Sequence, residues 1–213
     1  MGIGGALREA ASVLWPVACA GCGAPDVAVC APCAALLTGD PVRGDVDGVP
    51  LVAAAAYEGK VRMLVAACKE HGGRAESRAL GAGLALAIAQ APAAPLVRVP
   101  SSRAGLRRRG FDPVELVLRG AGLRAVPLRR VAGGGAQKER SVDERASAAQ
   151  GTLALPRRAA ERLAGAAVVL VDDVVTSGAT MREAVRAVRA AGCDAAAIAA
   201  VARVPRRVPG ALG

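Results

Sequence analysis

From Val168 to Val171 four aliphatic side chains follow one another with no polar residue between them, and the run ends in two carboxylates, Asp172 and Asp173. An apolar run without alternation predicts a strand covered on both faces, as at the centre of a parallel sheet, here over 168–172. A hydroxyl-rich turn follows, Thr176-Ser177-Gly178-Ala179-Thr180. Apolar positions then fall at helical spacing: Met181, Ala184, Val185, Val188 and Ala191. That period predicts a helix, with Thr180-x-x-Glu183 placed as a capping box at its start and Gly192 as its stop.

The same two periods divide the rest of the chain. Strands are predicted at 51–57, 96–100, 123–128 and 195–201. Helices are predicted from 57–62 through about residue 70, at 75–91 and at 113–120. Residues 38–50 have the composition of a linker, 133–145 are polar and Gly-rich, and 203–213 form a short basic tail. Strands alternating with helices imply an α/β fold with a five-stranded, mainly parallel sheet flanked by helices. The expected division is a small N-terminal segment, 1–45, and a main domain, 50–213.

Composition narrows the core. Apolar residues make up 53% of the chain, yet the aromatic ones are Trp15, Tyr57 and Phe111, so Ala, Val and Leu must fill the interior. The formal charge of +10 comes almost wholly from arginine, the lysines being Lys60, Lys69 and Lys138. Such a balance suits phosphate-rich ligands or nucleic acid, and it also arises from coding bias. The long uncharged stretch 79–97 contains Gln90, Pro92 and Pro95, which speaks against a membrane span. Arg8 and Glu9 interrupt what would be a signal's apolar region, so a cytoplasmic protein is expected.

Two motifs carry candidate chemistry at the N-terminus, Cys19-x-x-Cys22 and Cys30-x-x-Cys33. Paired knuckles of this kind gather four thiolates around one structural Zn²⁺, with Gly21 and Gly23 allowing the tight turns. A disulfide pair or a redox CxxC is the alternative. A segment this small and poor in apolar residues is expected to unfold on chelation while sparing the main domain. Cys68 and Cys193 read as buried thiols and His71 as a surface residue.

Two further stretches suit anions. Backbone N–H groups of Ser177 to Thr180 open a helix, Gly178 permits close approach, and the hydroxyls of Thr176, Ser177 and Thr180 can donate. Asp172 and Asp173 would repel a phosphate but suit sugar hydroxyls or a metal ion. A ribose 5-phosphate therefore satisfies both halves; a solvated acidic turn is the plain alternative. The second stretch is Ser101-Ser102-Arg103 with Arg107, Arg108 and Arg109, a pyrophosphate loop or else a solvated basic face or nucleic-acid patch. Residues 133–145 resemble a mobile lid, and no Gly-Lys-Ser/Thr follows there as a Walker A loop would require.

The strand, acid pair and Thr/Ser/Gly loop resemble the phosphoribosyl pyrophosphate (PRPP) motif of type I phosphoribosyltransferases. Together with the double CxxC, YEGKVRMLVAACKEHG, VPSSRAGLRRRGFDP and QKERSVDERASAAQG, they resemble the competence-associated ComF family over almost the whole chain. RGFDP stands where that family has RGFNQ, ERASAAQG lacks its usual Asn, and TSG stands for TTG. The resemblance implies a type I phosphoribosyltransferase fold preceded by a zinc ribbon. It implies PRPP with Mg²⁺ as ligand and displacement of pyrophosphate from C1 by a nitrogen nucleophile. Asp172 and Asp173 would hold the ribose hydroxyls and stabilise developing positive charge. Val171, Thr176, Ser177, Gly178, Ala179 and Thr180 would bind the ligand, the last five holding the 5-phosphate. Ser101, Ser102 and Arg103 would face pyrophosphate, with Arg107 to Arg109 and Lys138 or Arg140 closing over it. The same resemblance admits a non-catalytic protein that binds single-stranded DNA during uptake beside a helicase or translocase. A regulator that senses PRPP is a third reading.

Overall fold

The apolar run lies at the centre of a sheet, within β7 (Ala167–Val175), and Val168 to Val171 are wholly enclosed. The computed structural model describes residues 17–131 and 151–205. Its main sheet also contains β1 (Val42–Val46), β2 (Val49–Ala56), β3 (Leu96–Arg98), β4 (Val126–Pro127) and β8 (Asp194–Arg203). The order is β1-β2-β8-β7-β3-β4, parallel throughout except that β1 runs antiparallel to β2. A separate two-stranded ladder joins β5 (Arg129–Arg130) to β6 (Leu153–Ala154).

Both faces of the sheet are covered, as the unbroken apolar run requires. On one face Val169 and Val171 pack in a cluster with Leu64 and Val65 of α2 (Gly59–His71). Leu80 and Leu84 of α3 (Arg74–Ala89) and Val117 and Leu118 of α5 (Pro113–Gly120) complete it. On the other face Val168 and Leu170 meet Leu163 of α6 (Arg157–Leu163). Met181, Val185 and Val188 of α7 (Ala179–Arg189) close that side. Adjacent residues thus serve opposite layers, the period-2 consequence of the strand. Among the described residues no helix is long and apolar enough to cross a membrane.

The sheet has six strands where five were expected. The extra strand, β1, lies in the stretch whose composition reads as a linker. Asp47 and Gly48 both have positive φ, 50° and 78°, and make the two-residue turn that joins antiparallel strands. β1 is an edge strand with Arg43 and Asp45 among its exposed positions, so its one buried residue, Val46, is easily overlooked. The strand expected over 123–128 shrinks to β4, because Pro127 has no N–H with which to continue the ladder.

Two close approaches fix the α3 side. A Cβ on Gly81 would stand 2.7 Å from the Val117 carbonyl, and one on Gly120 would overlap the Ser77 carbonyl. Helices α3 and α5 therefore cross backbone against backbone. The cysteine segment, which includes α1 (Ala31–Ala35), joins the same layer: Cys19, Cys33 and Leu37 are buried in the cluster that contains Val61 and Leu64.

Candidate functional site

Asp172 and Asp173 sit at the carboxyl end of the parallel strands, where such sheets open into a crevice. They do not end the strand as the sequence suggests. β7 continues to Val175, still in register with Arg203 of β8. A cavity of about 200 Å³ opens over them. Asp172, Asp173 and Thr180 form one wall; Ser101, Ser102 and Arg109 form another, with Lys69 and Arg130 also in the lining.

Charge in this cavity is arranged in pairs. Lys69, near the end of α2, bonds Asp173 at 3.0 Å. Burial pushes the Asp172 carboxyl well above the usual carboxylate range, and the adjacent Asp173 adds to the shift. The Asp173 N–H donates to Asp172 Oδ1 at 2.9 Å and works in the opposite direction. Sequence reasoning missed Lys69. Its signal is the i, i+4 row Val61-Val65-Lys69, which continues a buried stripe to the edge of the cavity.

The opposite wall is a hydrogen-bonded loop. Ser102 caps α4 (Arg103–Arg109), its Oγ accepting from the Gly105 N–H at 3.0 Å. Arg109 Nη2 donates to Ser101 Oγ at 3.3 Å, and Arg130 Nε donates to the Ser101 carbonyl at 3.1 Å. Asp112 accepts from the Ser101 N–H at 3.2 Å, caps α5 through the Val114 N–H and pairs with Arg98. The Phe111 ring packs on Gly72, tying the end of α4 to the end of α2. Arg109 Nε is buried with no hydrogen-bond partner among the described residues.

Not every expected residue is in that cavity. Arg103, Arg107 and Arg108 are exposed and do not line it. Arg130 joins it without having been foreseen. Val171 is enclosed in the sheet, where its carbonyl accepts from the Val99 N–H at 3.0 Å. Lys138 and Arg140, with the rest of 133–145, lie outside the described residues.

At the hydroxyl-rich turn Gly178 takes the N-cap position of α7 with φ 79°, and Ser177 Oγ accepts from the Ala179 N–H at 3.4 Å. Thr176, Ser177 and Thr180 are exposed beside it. The capping box does not form. With Gly178 as cap, Thr180 lies two positions inside the helix, and Glu183 is buried and turned to other partners. It accepts from the Leu153 N–H at 2.9 Å and pairs with Arg186 at 2.7 Å, while Arg186 donates to the Leu153 carbonyl at 3.0 Å. Burial alone would raise the Glu183 carboxyl, but Arg186 and the Leu153 N–H together hold it below its ordinary value. Its contribution to stability is therefore present above the ordinary glutamate range and lost as pH falls through the lowered value. Glu183→Ala leaves a buried N–H without an acceptor and is expected to lose about 1–3 kcal/mol. Chemical denaturation checks this; an unchanged midpoint at neutral pH contradicts the clamp.

Residues 104–209 match the family model described as phosphoribosyl transferase domain. That span, just under half of the chain, is similar to a phosphoribosyl transferase domain. The matched span of that domain contains β7, the acid pair and the turn at 176–180; Lys69, Ser101, Ser102 and Arg103 precede it. Among solved structures, an orotate phosphoribosyltransferase from Aeropyrum pernix aligns with 67% of this chain and 76% of its own, at 16% identity and TM-score 0.35. No curated protein matches the chain.

Ahead of the matched span, the sulfurs of Cys19, Cys22, Cys30 and Cys33 all lie within 4.8 Å of one another. Cys19 and Cys30 stand 3.6 Å apart, Cys22 and Cys30 3.5 Å. Sulfurs about 2.3 Å from a tetrahedral Zn²⁺ would be roughly 3.8 Å apart, whereas a disulfide needs about 2.05 Å. All four thiols are free, so the spacing fits one metal ion and excludes a disulfide in this arrangement. The Cys30 N–H, 3.3 Å from Cys19 Sγ, leads the interactions that draw this thiol down to about 6. Burial pushes Cys33 up to about 12, so a cation is what would draw off its proton. Cys68 and Cys193 are buried and outside the cluster, and His71 is exposed.

Proposed function

We propose that the cavity binds PRPP together with Mg²⁺ and that the protein transfers the phosphoribosyl group to a nitrogen nucleophile. The observation that carries this reading is the pairing of opposite chemistries across one small space. An acid pair and Thr180, the last residue of the hydroxyl turn, face a serine loop backed by Arg109 and Arg130. In this reading Asp172 and Asp173 accept from the ribose hydroxyls and the 176–180 turn holds the 5-phosphate. Ser101, Ser102, Arg109 and Arg130 hold pyrophosphate.

The bond from C1 to the pyrophosphate oxygen breaks with its electron pair leaving on pyrophosphate. A bond from C1 to nitrogen forms, and the nucleophile gives up its proton. Positive charge gathers on the ribose ring between these events. Carboxylates fixed beside the ring therefore favour the transition state over the ground state. Magnesium, when bound with PRPP, supplies charge that offsets the pyrophosphate oxygens. Lys69 orients Asp173 through their ion pair in the free protein.

Calorimetric titration with PRPP and Mg²⁺, followed by a pyrophosphate-release screen across bases and amines, tests the proposal. Failure to bind PRPP overturns it. A pH dependence comes with it. Asp172 holds its proton above the usual carboxylate range, and accepting from a hydroxyl favours the ionised form. PRPP affinity should rise with pH across that window, by up to about tenfold per unit for one coupled proton. Titrations in buffers of different ionisation enthalpy should show a proton released on binding; none released contradicts the role given to Asp172.

A second reading, binding of single-stranded DNA, is favoured by Arg103, Arg107 and Arg108, which stay exposed on α4 outside the cavity. With so few aromatics, such binding would be led by phosphate and would weaken steeply with salt. Within that reading the ComF resemblance extends to a helicase or translocase as partner.

A further inference from the structure

Asp112 divides its two oxygens between two tasks. Oδ1 accepts from the Val114 N–H at 3.0 Å and the Glu115 N–H at 3.4 Å, which completes the cap of α5. A neutral Asn or Ser side chain would cap the helix as well. Oδ2 serves a different segment, accepting from the Ser101 N–H at 3.2 Å and from Arg98 Nη1 at 2.5 Å. Arg98 Nη2 reaches on to Glu115 Oε2 at 3.0 Å. The Asp112 and Arg98 side chains are each 11% exposed. Withdrawing two charges this far from water is costly, and the helix cap does not require it.

Ser101 is fastened at each of its polar groups. Its N–H goes to Asp112, its Oγ accepts from Arg109, and its carbonyl accepts from Arg130. Arg130 Nη2 also donates to the Pro100 carbonyl at 3.2 Å. These anchors differ in one respect. Arg109 and Arg130 line the cavity, where a guanidinium can exchange the loop for an anionic oxygen. Asp112 does not line it. Asp112 is therefore the anchor that stays in place when an anion enters. Arg98 closes β3, where the chain turns into the serine loop, and braces that anchor from the strand.

We propose that Asp112 is a positioning residue, fixing Ser101 for a ligand that carries pyrophosphate, and that Arg98 acts through it. This deepens the pyrophosphate role proposed above for the serine loop and rests on it. The sign of the effect separates positioning from bare charge. A carboxylate one hydrogen bond behind an anion-binding loop repels the anion, so as a charge alone its removal would strengthen binding. As a positioning group its removal weakens binding, because the loop loses its fixed acceptor and must be ordered by the ligand.

The test uses the full-length protein, titrated calorimetrically with inorganic pyrophosphate and with ribose 5-phosphate. In Asp112→Asn the two helix N–H groups claim the amide oxygen, and an NH2 that cannot accept stands where Oδ2 stood. Pyrophosphate should bind this variant about tenfold more weakly, the usual contribution of one such hydrogen bond, with ribose 5-phosphate unchanged. Arg98→Gln should weaken pyrophosphate about threefold. Added to Asp112→Asn it should weaken it no further, since one group acts through the other. Pyrophosphate binding at or above wild type in Asp112→Asn overturns the inference. Equal loss of both probes also overturns it, making Asp112 structural. Should Asp112→Asn not fold, Arg98→Gln decides, and unchanged pyrophosphate affinity there overturns the inference too. Additive losses in the double variant overturn the part given to Arg98. A wild type that ignores pyrophosphate sinks the underlying pyrophosphate reading instead.

Discussion

The Asp172→Asn, Asp173→Asn double variant should lose PRPP–Mg²⁺ affinity by about 1.5–3 kcal/mol for each charge-assisted hydrogen bond removed. The amides keep the shape of the carboxylates, so the effect reports charge and not volume. Folding should suffer little. Asp172 is already held towards its neutral form by burial, and Lys69, one-third exposed, can rehydrate when Asp173 no longer carries charge. DNA is the discriminating second ligand. Removing two negative charges from a chain of net charge +10 should leave its affinity for single-stranded DNA unchanged or slightly higher. Undiminished PRPP affinity would make the site assignment wrong. Parallel loss of both ligands would mean that they share the crevice.

Metal removal should be felt well beyond the cysteine segment. One Zn²⁺ per chain is expected, abolished in a Cys19→Ser, Cys22→Ser variant. Structural zinc in small domains carries an apparent 10–16 kcal/mol, roughly, at neutral pH. The sequence alone suggests that chelation melts a small ribbon and spares the rest. The packing argues otherwise. Cys33 is wholly buried, Cys19 nearly so, and a Cβ on Gly21 would stand 3.3 Å from Leu64 of α2. Loss of the metal should therefore lower the main melting transition by several degrees or more, since a few kcal/mol moves a domain of this size by that much. Metal analysis with differential scanning calorimetry checks both halves. A metal-free protein whose main transition is unmoved would contradict the shared core.

What could be read from the sequence depended on whether the signal was continuous. The β7 run is four residues with one meaning, and the acids and turn follow it without a gap, so their order along the crevice was visible. β1 was hidden because only alternate residues of an edge strand face inward, and the Asp47-Gly48 turn that announces it sits among other Gly and Asp residues. For α4 the run of arginines is plain in the sequence, but helical phase divides its members. Arg103 and Arg107 are one turn apart on one face, whereas Arg109, two residues on, is rotated by about 200° and reaches the cavity. Lys69 and Arg130 come from a helix and a short strand distant in sequence. Tertiary packing alone makes them neighbours of Asp173 and Ser101. Glu183 had the spacing of a cap, but its burial gave it to Leu153 and Arg186 instead.

The glycine crossing of α3 and α5 bears on how the serine loop is held. Most helix pairs are separated by side chains that can change rotamer and absorb a shift of an ångström. At Gly81 and Gly120 there are none, only backbone against backbone. Helix α5 begins at Asp112, which grips the Ser101 N–H. A displacement of α3 thus has nowhere to dissipate before it reaches the anion-binding loop. The two helices behave as one stiff lever, and a bulkier residue on the buried side of α3 would misalign Ser101 from the far side of the domain.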